Sequence, residues 1–155
     1  MEDLINNLSS PNLDIRHKAE ILIAEQIREN PEVIQIVMQK IRDGDMNIRW
    51  YLSRSLIIAG ETVIPTLIAK SEKETDATVQ RYLGAILATF KEKAVPSLIS
   101  LFSSTNPLAR GMAGAALEKI GQTAHDALLE AANSPNATVR SCAGIVLMKF
   151  GVYQY

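Results

Sequence analysis

At 155 residues the chain can bury one ordinary core and is too short for several large domains. Apolar residues make up 47%, which excludes a disordered chain, and a net charge of −1 argues against a dedicated nucleic-acid binder. The single cysteine, Cys142, excludes an intrachain disulfide and suits a reducing compartment. No apolar run approaches the roughly 20 residues of a membrane span. The acidic start, MEDLINNL, does not read as a secretory signal. A cytoplasmic protein that makes no membrane contact is expected.

In chain order, EDLINNL (2–8) predicts a first helix, clipped by the chain start. SPNLDIR (10–16) turns the chain and starts a second, with Asn12 as its N-cap. PEVIQIVMQKI (31–41) is a third, and Asp45 caps a fourth that ends near Gly60. TVIPTLIAK (62–70) and a helix capped by Asp76 follow, then KAVPSLISLF (93–102). Asn106-Pro107 opens the next, because proline suits the first helical position, and Gly121 closes it. TAHDALLEAA (123–132) leads to SPNATVR (134–140), which starts the last helix, running to Gly151.

SPNLDIR and SPNATVR are the first and last of five in-phase copies. The copies are marked by Ile15-Arg16, Ile48-Arg49, Val79-Gln80, Ala109-Arg110 and Val139-Arg140, at steps of 33, 31, 30 and 30 residues. Four residues on stand Ala19, Leu52, Leu83, Ala113 and Ala143, and eight residues on Ile23, Leu56, Leu87, Leu117 and Leu147. That spacing is one apolar stripe of an α-helix, and it also places Ile15 and Val139 in the core. Five residues on, Glu20 is followed by Ser53, Gly84, Gly114 and Gly144, so four of five copies are small there. Ten helices in five antiparallel pairs are expected, in one domain over 1–155 with repeats near 1–30, 31–60, 61–91, 92–121 and 122–155.

The unit AVPSLISLFSSTNPLARGMAGAALEKIG (94–121) resembles a HEAT repeat, in particular the short form named after phycobilisome lyases. The A-V-P-x-L-I opening and the D/N-x-x-V-R helix start carry the resemblance. It implies an all-α fold, a right-handed α-α superhelix with the V-R helices on the concave side. It also implies that Arg16, Arg49, Arg110 and Arg140 form a structural ladder to loop acceptors of neighbouring repeats. The acidic partner six residues earlier is present at Asp43 and Glu74 but is serine at 10, 104 and 134, and Gln80 interrupts the arginines. A charged ladder would therefore be incomplete.

Chemistry is hard to find. His17 and His125 fall in the first and fifth repeats, no metal-binding spacing or His-Glu pair occurs, and iron-binding HEAT-type hydroxylases are a poor match. Cys142 lacks a histidine near it in sequence or repeat position, and no phosphate loop or nucleophile elbow is present. No catalytic residue, metal or cofactor is expected, and the protein reads as a non-enzyme.

Surface is what remains. Trp50, Tyr51, Arg54, Arg81, Tyr82 and Met112 fall off the buried stripe of their helices and are the candidate partner-binding residues. Trp, Tyr and Arg are enriched in binding hot spots, and methionine adapts to partners. The V-R helices carry ten Lys and Arg against four Glu, on a chain of net −1, which favours an acidic partner. The expected function is a protein-interaction module or scaffold that binds a peptide or protein on its concave face. An accessory subunit of a bilin-lyase-like or chaperone-like complex is the alternative, and a nucleic-acid-binding solenoid ranks below it. The apolar end, with Val152, Tyr153 and Tyr155, suggests a dimer or partner contact through the last repeat.

Overall fold

The computed structural model describes residues 1–151. Among them lie ten α-helices joined by short loops and 3-10 turns, and no strand. They are α1 (Glu2–Asn7), α2 (Leu13–Glu29), α3 (Val33–Asp43), α4 (Met46–Ala59) and α5 (Ile64–Lys73), then α6 (Ala77–Ala88), α7 (Val95–Ser100), α8 (Pro107–Ile120), α9 (His125–Ala131) and α10 (Ala137–Lys149). The chain forms two compact units, divided after Thr66 within α5. In the first, α1 packs on α2, α3 on α4, and α2 on α4. In the second, α8 lies between α6 and α10, α7 packs on α8, and α9 on α10. No single helix among the described residues is long and apolar enough to cross a membrane.

The second helix of each pair starts the same way. Asn12, Asp45, Asp76, Asn106 and Asn136 all accept a backbone N–H of the first turn through the side chain. Each cap satisfies a donor that the helix itself cannot, a gain of about 1 kcal/mol. The residues four and eight after the repeat mark form the core, all at most 2% exposed. The mark itself is less uniform. Val79 and Ala109 are buried, Val139 is half-buried, and Ile15 is 41% exposed. Contrary to the stripe's prediction, Ile15 does not enter the core, although Val79 and Ala109 at the same helical position do.

Helix ends also repeat. Gly60, Gly121 and Gly151 lie twelve residues after their marks with φ of 95°, 80° and 72°. The same position in the third copy is Lys91, at φ 51°. The backbone keeps the left-handed turn although the side chain disfavours it.

Each arginine bonds within its own repeat. Nη1 of Arg16, Arg110 and Arg140 donates to the carbonyls of Ser10, Ser104 and Ser134 at 2.6, 2.7 and 2.8 Å. Arg49 donates to Ile41 and Arg42, and Gln80 Nε2 donates to Ser71 and Glu74. In four copies the acceptor is the residue six positions back, through its backbone, so it need not be acidic. These bonds tie the helix start to the preceding loop of the same repeat, where the resemblance implied loop acceptors of neighbouring repeats; Arg16 in addition reaches the next repeat through Nε. The serine side chains make a different bond, in which Ser10, Ser104 and Ser134 accept the N–H of the following N-cap residue.

Further bonds join neighbouring repeats. In the second unit Asn106 Nδ2 donates to the carbonyls of Ser71, Glu72 and Glu74 at 2.8–3.2 Å. In the first, Arg16 Nε donates to the Tyr51 hydroxyl at 2.8 Å and Arg28 to the Ile58 carbonyl at 3.1 Å.

Candidate functional site

In the first unit, Met46, Trp50, Arg54 and Ile58 are spaced by four residues and share one face of α4. Met46 and Ile58 are exposed, and Trp50 is 60% exposed, a large apolar ring left in water. Ile21 adds an exposed apolar residue from α2, the helix on which α4 packs. Arg54 stands at the middle of the stripe. Its Nε lies 2.8 Å from Oε1 of Glu20, which is only 1% exposed, while the arginine side chain is 40% exposed. His17 Nδ1 lies 3.5 Å from the other oxygen of Glu20.

This pair fixes the guanidinium. A buried carboxylate without a cation is costly, so Glu20 holds Arg54 in one place. The face of α4 then offers a held cation between exposed apolar groups. Glu20 is absent from the site residues that the sequence suggests, but a signal exists: it is the one charged residue at a repeat position that is otherwise small. Tyr51 plays a different part. It is half-buried, accepts the Arg16 bond and carries that guanidinium 5.8 Å from its ring centre.

The remaining candidates lie in the second unit. Arg81 is exposed and Tyr82 half-buried on α6. Met112 is only 7% exposed, so it does not extend a surface row. It turns into the α6–α8 seam over Gly84, where an added Cβ would come 2.9 Å from Met112 Cγ. Beside that seam runs a furrow of about 610 Å³, lined by α6 and α8. Its lining includes Arg81, Gly84, Ala85, Gly111, Met112 and Lys119. On α10, Ile145 and Met148 are exposed, while Val152, Tyr153 and Tyr155 lie outside the described residues.

Burial pushes the Cys142 thiol up, and the Arg110 guanidinium opposes this more weakly, so the protonated form is favoured. His125 Nδ1 lies 3.5 Å from Asp126 Oδ1. No cluster of three His, Cys, Asp or Glu that could hold a metal occurs among the described residues.

Capped helix pairs repeating every thirty or so residues define a helical-repeat protein. A model of HEAT repeats matches residues 64–148, and the chain belongs to that family. A solved structure of human deoxyhypusine hydroxylase in complex with glycerol is similar at 18% identity and a TM-score of 0.45. The match covers 97% of this chain and 62% of that one, so this chain spans less than two thirds of its length. A search of curated proteins gives no match.

Proposed function

We propose that the chain is a non-enzymatic protein-interaction module of the cytoplasm, recognising an acidic peptide or protein surface through its second helices. One observation carries this reading. Of the ten exposed large apolar residues among those described, nine stand on α2, α4, α8 and α10, and only Ile36 stands on a first helix. Within each unit, exposed apolar groups gathered on one class of helix mark a docking face more than scattered ones do. The strongest anchor is Trp50, with Arg54 held beside it by Glu20. The α7 opening Val95-Pro96, spelled as in the lyase-named repeats, favours as second reading an accessory subunit in a lyase-like or chaperone-like complex.

Trp50→Ala tests the anchor, because the ring is exposed and its loss leaves the core intact. Capture from the native host, read by mass spectrometry, should lose at least one partner that the parent chain retains, at an unchanged melting temperature. Retention of every partner removes α4 from the binding surface.

A further inference from the structure

We infer that the furrow between α6 and α8 is a docking site for an acidic, amphipathic helical segment of a partner protein. This rests on the reading of the chain as a protein-binding module and adds a second, separate site to it.

Shape comes first. The furrow wall is built from small residues, with Gly84 and Ala85 on α6 and Gly111 and Ala115 on α8. A Cβ added at Gly111 would meet nothing within 4 Å, so the space above it is open. Helix axes approach more closely where the side chains between them are small. From Leu108 to Lys119 the α8 wall is twelve residues long, a rise of roughly 16 Å or three turns at 1.5 Å per residue. A partner helix of about three turns matches that length and would set apolar residues at i, i+4 and i+7 against the wall.

Charge then selects the sign of the partner. Arg81 lies toward the start of α6 and Lys119 in the last turn of α8, both lining the furrow. Neither has a carboxylate partner among the described residues: Arg81 donates only to the Thr78 hydroxyl, at 3.3 Å, and the neighbouring Glu118 is taken by Lys149 at 2.8 Å. No Asp or Glu lines the furrow. A segment with acidic ends satisfies both cations, and one with basic ends is repelled. An extended phosphate backbone would leave the apolar wall uncovered.

The test uses the full chain and two labelled, helix-favouring peptides of roughly twelve residues, about three turns. Both carry Leu at i, i+4 and i+7, one with Glu at its ends and the other with Lys. Fluorescence anisotropy should show the Glu-ended peptide binding at least about tenfold more tightly, a preference that shrinks in high salt. Arg81→Glu with Lys119→Glu should reverse the order. Gly111→Leu fills the furrow without touching the fold and should abolish binding while the melting temperature holds or rises. Trp50→Ala should bind the Glu-ended peptide as the parent does. Equal binding of the two peptides, no binding of either, or undiminished binding by Gly111→Leu overturns the proposal. So does a dimer that Gly111→Leu converts to a monomer, since a second copy would then be the occupant. Loss on Trp50→Ala with retention on Gly111→Leu overturns the furrow alone and leaves the protein-binding reading standing.

Discussion

Five residues after each repeat mark the two units part. In the first unit that position holds Glu20 and Ser53, and in the second Gly84, Gly114 and Gly144. All but Gly114 and Gly144, which are half-buried, lie within the packed interior. The first unit uses the position for a buried carboxylate that fixes Arg54 on the α4 face. The second leaves it empty, and Met112 fills the space over Gly84. One backbone plan thus supports a held charge in one unit and a small-residue furrow in the other. The repeat secures the fold through its caps and its +4 and +8 residues, so the +5 position is free to differ.

The largest effect that would break this contrast is at the ion pair. Arg54→Ala strands Glu20 in the interior and should cost about 3 kcal/mol by urea denaturation. Adding Glu20→Ser, the residue type of the next copy, should restore stability to within about 1 kcal/mol of the parent, because removing both charges leaves nothing unpaired. If Arg54→Ala alone melts like the parent, Glu20 is not held by Arg54. The cycle also separates binding from folding: Arg54 is safely probed for partner contact only in the Glu20→Ser background.

The second unit offers a pair of glycines with opposite expectations. Gly84→Leu drives a side chain into Met112 and should cost about 2 kcal/mol. Gly111→Leu, one repeat along and three residues earlier in its helix, meets open space and gains helix propensity, so it should stabilise by about 0.5–1 kcal/mol. Thermal midpoints moving in opposite directions sharpen the view of a filled seam beside an empty furrow. Midpoints moving together would deny it. The smallest effect lies at the turn shared by both units. Lys91→Gly relieves the left-handed conformation that Gly60 and Gly121 already accommodate and should add about 0.5–1 kcal/mol. A loss of stability there would mean that the lysine side chain matters more than its backbone.

Much of the architecture is legible in the letters. Asn12 and Asn136 announce caps through residue type and position, and Leu56, Leu87 and Leu117 announce the core by their spacing. These features obey local rules: a cap needs a short polar side chain, and a stripe needs period 3.6. The arginines mislead because a donor's partner is not written in the sequence. Six residues back stand serines where acids are expected, which suggests gaps, whereas the acceptor is the backbone carbonyl, which every residue has. Met112 misleads for a related reason. Its place on the helix wheel lies off the stripe, but the missing Cβ of Gly84 on a helix 28 residues away opens a space into which it turns.

The sequence by itself determined the repeat, its five copies, the caps and the glycine turns, because each depends on residues within one or two turns of each other. Tertiary structure decided which surface groups are free and which are held. Tyr51 is taken by Arg16 and Arg54 by Glu20, each across more than thirty residues, while Trp50 and the α6–α8 furrow are left open. Such pairings depend on how one helix packs on the next, and packing sums contacts that no local pattern contains.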